Sequence, residues 1–378
     1  MAYRRRICFV IGRRSSALLV CCMLRQAILL LLFLPLVEAR AEVRDSLSLL
    51  RLISYNVENL FDTEDDPETR DEEFTPEGRK QWTSARYRRK LGQIAQTIAR
   101  ASQEYWPGLI CLVEVEGERC LDDLLAFTAL GRQGYSYTMT HSADARGIDV
   151  ALLYREPLLR LLERSEHEIP LPRGEAPTRN ILRVSFALSS GPILHVFAMH
   201  WPSRRGGRRA TASRRRAAAL RTRELCDSLH QAWKGQEQHF VLMGDLNATA
   251  REVELREVLG SSLEPPLMLK DSLSTTGPRL YNLLSQAPEA GPRGTHFFSG
   301  VWYLFDQIII SESLLSPSSC LRYREGSARI YAGPELLAPD RLGRLRPRAT
   351  YAGDHYLGGY SDHLPVLADL WLRPREKP

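Results

Sequence analysis

Apolar runs in this 378-residue sequence repeatedly close on a residue able to bind a cation, move a proton or hold a phosphate. Leu50–Val57 (LRLISYNV) contains Asn56, with Glu58 just beyond; Leu109–Val115 (LICLVEV) carries Glu114; Ile193–His200 (ILHVFAMH) ends on His200. Phe240–Asp245 (FVLMGD) leads into Gly244-Asp245-Leu246-Asn247, Phe305–Ile310 (FDQIII) opens with Asp306 in second place, and Ser361-Asp362-His363-Leu364-Pro365 leads into the apolar Leu364–Leu372. One polar ending carries little information, because loops are polar; the shared chemistry of all of them does. Carboxylate and amide oxygens suit a hard ion of the Mg²⁺ kind, and histidines suit proton transfer near neutral pH. Asp245 and Asn247, two apart, put both side chains on one side of an extended segment. A divalent ion so held can neutralise charge on the oxygens of an anionic substrate. An oriented carboxylate–imidazole pair can then take a proton from water, worth ~10²–10⁴-fold. No P-loop, GxSxG, HExxH or GxGxxG pattern offers a rival chemistry.

The elements that must position these residues follow from the same runs. With Ile148–Tyr154 (IDVALLY) they number seven, each with the length and β-branched content of a buried strand. Leu91, Ile94, Ala95 and Ile98 repeat at helical spacing, and Ala218 to Leu229 continues a second helix past an Arg-rich start. Strands mixed with helices through one chain predict an α/β layered fold. No repeat or long linker divides residues 42–378, which read as a single domain. Residues 62–73 hold eight Asp or Glu, a solvated loop by composition, and 325–350 read as a surface excursion rich in Arg, Pro and Gly.

Residues 27–37 (AILLLLFLPLV), with Arg25 before them and Ala39-Arg40-Ala41 after, have the parts of a secretory signal peptide cleaved near Ala41. The run is too short for a spanning helix of ~20 residues, so no membrane insertion is expected after cleavage, and the destination is the periplasm or the medium. Met23 opens a complete signal by itself, so residues 1–22 are expected to be either an over-extended start or a long n-region. Beyond the leader four cysteines remain, Cys111, Cys120, Cys226 and Cys320: no disulfide framework, though one or two bridges are allowed, and no CxxC zinc site. The composition, 44% hydrophobic and 25% charged, excludes disordered, collagen-like and polytopic membrane proteins. The formal charge of +6 lies wholly in residues 1–41, which carry seven Arg and one Glu; the remainder balances at 44 basic and 44 acidic. Attraction to a polyanion must therefore be local, and the window 204–223 holds nine Arg and no acid.

Taken in order, Tyr55-Asn56-Val57-Glu58, Glu114, His200, GDLN at 244–247, Asp306 in Phe305-Asp306-Gln307-Ile308 and SDHLP at 361–365 resemble the endonuclease/exonuclease/phosphatase superfamily. This is the fold of pancreatic deoxyribonuclease I, and the resemblance runs from Leu52 to about Leu370. It implies a four-layer α/β sandwich, two mixed β-sheets face to face with helices on the outside. It implies Glu114 as principal metal ligand, with Asn56, Glu58 and Asp362 at metal or phosphate-side positions. Mg²⁺ is the implied ion, with Mn²⁺ or Ca²⁺ as substitutes. Asp245 and Asn247 match the pair that orients water and phosphate, Asp306 matches the acid that orients His363, and His200 matches a contact to the phosphate or leaving oxygen. Arg204 and Arg205, following His200-Trp201-Pro202-Ser203, are expected on substrate phosphate. Asp149 is a candidate to orient His200 or a structural strand-edge residue, and His296 lines the cleft or packs. Asn247-Ala248-Thr249 is a formal glycosylation sequon, read as unmodified because a sugar would fill the cleft.

The expected function is a secreted, monomeric, metal-dependent phosphodiesterase, first of all a largely non-specific nuclease acting on DNA or RNA. The alternative within the fold is a phosphatase or phospholipase acting on inositol phosphates or sphingomyelin. Against it, Asp306 is followed by Gln-Ile instead of Arg-Ile, no Tyr-Arg follows GDLN, and no exposed apolar hairpin is evident. A non-catalytic binding module would be expected to lack one of Glu114, His200, Asp245 or His363, and all are present.

Overall fold

Each of the seven apolar runs forms a strand, because a segment buried on both faces satisfies its backbone amides only in a ladder. In chain order the main strands are β1 (Ser48–Leu60), β2 (Leu109–Val115), β3 (Tyr135–Met139), β4 (Asp149–Arg155) and β5 (Leu159–His167). They continue with β6 (Ile181–Leu188), β7 (Ile193–His200), β8 (Gln238–Asp245), β9 (Asp306–Ser311) and β10 (Val366–Leu372). The helices are α1 (Ser84–Ser102), α2 (Glu118–Phe127) and α3 (Ala212–Ala232). The computed structural model describes residues 48–156, 158–189, 191–265, 277–285 and 292–373; the leader expected at 1–41 lies outside them.

Two seven-stranded sheets result. One has the order β10-β1-β2-β4-β3, with Leu321–Tyr323 and Arg329–Ile330 also paired to β10. The other has the order β5-β6-β7-β8-β9, extended by Leu280–Asn282 and Ser261–Ser262. Both are mixed: β1 with β2 and β7 with β8 run parallel, while β1 with β10 and β8 with β9 run antiparallel.

Side-chain alternation along the strands builds the layers. Leu50, Leu52, Cys111, Val113 and Leu152 of the first sheet meet Val184, Leu194, Val196, Val241, Met243 and Ile308 of the second in one core. Their alternates Ile53, Tyr55, Ile110 and Leu112 pack under α1 and α2 against Leu91, Ile94, Ile98, Leu121 and Leu124. Phe197, Met199, Phe240 and Leu242 pack under α3 against Ala218, Cys226 and Leu229. This is the expected four-layer sandwich.

Several segments depart from the sequence reading. β3, β5, β6 and α2 carried no clear apolar run; β5 (LRLLERSEH) lies at a sheet edge with much of its length exposed, so charged residues are tolerated there. The acidic segment is not wholly solvated: Asp71 is buried and accepts from the Asp66 N–H and the Thr69 hydroxyl. The excursion at 325–350 contributes Arg329–Ile330 to the first sheet and a ribbon of Leu337–Pro339 with Leu345–Pro347. The bridges allowed for do not form: all four cysteines are free thiols, Cys111, Cys120 and Cys226 buried and Cys320 partly so.

Candidate active site

Four inward-facing rows run out at the same end of the sandwich, and each is closed by a polar residue. Asn56 follows Leu50 and Leu52 on β1, His200 follows Val196 and Ala198 on β7, Asp245 follows Val241 and Met243 on β8, and Asp306 precedes Ile308 on β9. Register sets His200 opposite Asp245, and Asp245 opposite Asp306. Glu114 has the wrong parity, since Val113 faces inward and Leu112 outward, so regular alternation would point it at the helices. It is instead an extra residue with φ of 68°, between Val113 paired to Val150 and Val115 paired to Asp149. This bulge re-aims the carboxylate to the sheet end. The neighbouring strand is irregular at the same level: Glu58 and Asn59 have φ of 54° and 56°, and the Asn59 N–H donates to Glu114 Oε2 at 3.0 Å. Gly244, φ 140°, is needed where β8 meets β7, because a Cβ there would lie 1.8 Å from the Met199 carbonyl oxygen.

The side chains so placed converge. Asn56 Nδ2 donates to Asp245 Oδ2 at 3.1 Å and reaches Glu114 Oε1 at 3.4 Å. His200 Nε2 lies 3.8 Å from Glu114 Oε1 and 3.7 Å from Asp245 Oδ2. His363 Nδ1 bonds Asp306 Oδ2 at 2.7 Å, leaving Nε2 at 3.8 Å from Asp245 Oδ2. The His363 N–H donates to Ser361 Oγ, which donates to the Asn56 carbonyl, so the SDH turn is tied to β1. Asn247, φ 48°, donates its N–H to Asp245 Oδ1 at 2.9 Å and its amide to the Trp201 carbonyl at 3.1 Å. Glu114, His200, Asp245, Asn247 and His363 form the floor of a cleft of about 760 Å³.

The electrostatics follow from burial. Burial pushes His200 well below the ordinary histidine range, assisted by Arg179 and Arg146, so it is neutral at pH 7. Burial also disfavours the His363 cation, but the Asp306 and Asp245 carboxylates outweigh it and hold this imidazole well above its usual value. Burial raises Glu114. Among the described residues neither Glu114 nor Asp245 has a Lys or Arg ion pair, which leaves a partly buried and a buried carboxylate bridged by one neutral amide. That donor set fits a hard divalent cation: Glu114 and Asp245 would hold it with Asn56 alongside. Asp245, Asp306 and His363 form one group close enough to ligate an ion, and His296, Asp362 and His363 another.

The remaining expected residues divide. Glu58 is not aimed into the cleft; its oxygens accept from the Thr350 and Tyr351 N–H groups at 2.6 and 3.2 Å. Burial and then Asp362 push it up to about 7. Beside it the buried Lys90 ammonium donates to Thr350 Oγ1 at 2.6 Å and the Tyr360 carbonyl at 2.8 Å. Glu58 thus clamps the segment that delivers His363. Asp362 is at the rim, its Oδ2 3.8 Å from His296 Nδ1. Arg204 lines the cleft but is committed to Glu252 at 2.5 Å and the Asn247 carbonyl at 2.7 Å; Arg205 is exposed on the wall. Asp149 bonds Thr140 and Ser142, not His200, and so is structural. His296 lines the cleft and packs tilted against His363, ring centres 4.5 Å apart. Asn247 is buried, consistent with an unmodified sequon.

Sequence reasoning missed two features. Arg179 is buried behind the site, paired with Asp144 at 3.0 Å, and 35 residues separate the two, so no local pattern marks them. The second is an exposed apolar hairpin. The ribbon His296–Phe298/Val301–Tyr303 presents Phe298 at 65% and Val301 at 50% exposure beside the cleft. HFFSGVWY was the legible signal for it.

Fold and cleft together are those of a four-layer sandwich with a carboxylate–histidine floor at one end of its strands. The endonuclease/exonuclease/phosphatase family model matches residues 51–371, and the chain belongs to that family, whose members are divalent-metal-dependent phosphate-ester hydrolases. No curated protein matches the sequence. Among solved structures, a functionally unknown conserved protein from Enterococcus faecalis V583 is similar at 18% identity and a TM-score of 0.51, over 85% of this chain and 99% of that one. An endonuclease/exonuclease/phosphatase from Bacteroides vulgatus is similar at 16% identity and 0.51, over 86% and 100%. TDP2 from Caenorhabditis elegans is similar at 12% identity and 0.50, over 86% of this chain and 74% of that one. At such identities the likeness is one of fold.

Proposed function

We propose that the protein is a divalent-metal-dependent phosphodiesterase that hydrolyses DNA or RNA with little base specificity, by attack of water on phosphorus. The observation that carries the reading is the convergence of the Asp306–His363 pair on Asp245, facing the Glu114–Asn56 group across one cleft floor. Asp306 fixes Nδ1 of His363 and leaves Nε2 facing the cleft, where it can exchange a proton with water or a phosphate oxygen. Asp245, held by the Asn247 N–H and Asn56 Nδ2, orients the water. His200, neutral, can donate Nε2–H to a phosphate oxygen. A divalent ion at Glu114 supplies charge neutralisation when bound. Arg205 and Arg208 on the exposed wall suit repeating phosphates contacted without base readout.

A phospholipase reading comes second, favoured by the exposed Phe298 and Val301. Secretion as a monomer, from the leader read at residues 1–41, belongs to the same proposal. The test is incubation with plasmid DNA, RNA, inositol polyphosphates and sphingomyelin vesicles, each with Mg²⁺ and with EDTA. Mg²⁺-dependent nucleic-acid cleavage, lost in Glu114→Gln and His363→Ala, supports the reading. Phosphate release from a small ester with nucleic acids left intact overturns it.

A further inference from the structure

We propose that an aromatic strip along one wall of the cleft is a stacking platform for an unpaired nucleobase next to the scissile phosphate, so that single-stranded nucleic acid is the preferred substrate. The inference rests on the nuclease reading above and narrows it. The strip starts at the site itself: His363 packs on His296, His296 on Phe305 with ring centres 5.9 Å apart and planes 23° apart, and Phe305 on Tyr303 at 5.1 Å and 19°. The Arg204 guanidinium lies 4.4 Å over Phe305 and 5.6 Å from Tyr303, closing the inner end. At the outer end stands Phe298, 65% exposed yet lining the same cleft.

The ribbon that carries Phe298 is braced from behind. Period-two alternation puts His296 and Phe298 on the cleft face and Phe297 on the reverse. There Phe297 meets Trp302 at 5.2 Å and the Arg344 guanidinium at 5.5 Å. An aromatic ring held in place but left exposed, at the open end of a strip leading to the catalytic imidazole, has one kind of flat partner in a polynucleotide: a base face. In a duplex that face is already stacked, whereas in a single strand it is free. Charge agrees, because Arg205, exposed and without an ion pair among the described residues, lines the same cleft and suits the adjoining phosphates. A lipid surface fits less well. It would engage the exposed aliphatic residues Leu342 and Leu345, which do not line the cleft, together with Val301, paired to Phe298 on the ribbon.

The experiment compares wild type, Phe298→Ala, Phe298→Trp and Leu342→Asn on three substrates: a single-stranded oligonucleotide, the same strand with abasic residues flanking the cleaved linkage, and its duplex. Binding of the single strand in EDTA is followed by fluorescence anisotropy, and sedimentation with phosphatidylglycerol vesicles is measured alongside. The expected result is preference for the single strand and a KM raised about tenfold in Phe298→Ala on the strand bearing bases. The same variant should leave the abasic strand unaffected, and Phe298→Trp should restore binding. An equal effect of Phe298→Ala on both strands, or faster cutting of the duplex, overturns the platform and leaves the nuclease reading standing. Failure of wild type to cut any of the three overturns both. Vesicle binding abolished by Leu342→Asn, with Phe298→Ala normal on oligonucleotides, overturns the platform in favour of a lipid surface.

Discussion

Arg179 and Asn247 share one acceptor: the Trp201 carbonyl oxygen takes Arg179 Nη2 at 2.8 Å and Asn247 Nδ2 at 3.1 Å. Asn247 adopts the left-handed conformation, which a non-glycine residue keeps only when its surroundings impose it. The buried arginine, anchored by Asp144, is what holds that acceptor still. Arg179→Lys is expected to lower kcat by roughly an order of magnitude with KM little changed. Arg179→Ala leaves the buried Asp144 with only the more exposed Arg146, at 3.4 Å, and should cost up to about 3 kcal/mol in urea unfolding.

Glu114 and Asp245 are like charges with no Lys or Arg ion pair among the described residues, and the imidazole of His363, 3.8 Å from Asp245, offsets the repulsion only on that side. Saturating Mg²⁺ should raise the Tm of wild type by mass action, about 2.7 kcal/mol at one hundred times Kd. Glu114→Gln relieves the repulsion, so its Tm without metal should be higher than that of wild type while its metal response disappears. A thermal-shift series with Mg²⁺ and EDTA checks both.

Gly244 sits with φ of 140° against the Met199 carbonyl. In Gly244→Ala the new methyl meets backbone on a central strand and has no flexible group to displace. A loss of more than about 3 kcal/mol is expected, read as insoluble expression or collapse of the near-ultraviolet circular dichroism.

His195, buried on β7 and bonded through Nδ1 to Ser185, has its pKa lowered to about 4, first by burial and then by Arg183. The unfolded chain, near 6.5, binds the proton more readily, so stability is complete above pH 6.5 and falls as pH drops toward 4. The slope from this residue approaches 1.4 kcal/mol per pH unit, as an order-of-magnitude figure. His195→Gln should flatten the fall between urea unfolding curves at pH 7 and pH 5.

Cys111 and Cys226 are buried, with burial pushing both thiols up to about 12, and Cys120 is buried likewise. Of the four described cysteines, a thiol reagent should label Cys320 alone in the native protein and all four in guanidinium. Reductant should leave Tm unchanged.

The site was legible because four of its residues stand at or near strand ends, where strand alternation fixes the direction of the side chain. Asn56, His200, Asp245 and Asp306 need nothing more than parity to meet. Glu58, expected near the metal from the resemblance, lies two residues beyond Asn56, where alternation would put it on the same inward face, but the left-handed pair Glu58-Asn59 turns it to Thr350. Bulges leave no trace in hydrophobic periodicity. Arg179 and Lys90 were invisible because their partners are distant in sequence, and β5 because an edge strand has no need of a continuous apolar run.

The irregularity at Glu114 has a consequence for any attempt to move the centre elsewhere. A grafter who copied Asn56, Glu114, His200 and Asp245 onto idealised strands of the same order would transplant three of the four. The fourth would arrive beneath α1 and α2, among Ile110, Leu112 and Leu121, as an unpaired charge in an oily layer. The information that prevents this is a count, one surplus residue in β2 against β4, and it is carried by no side chain.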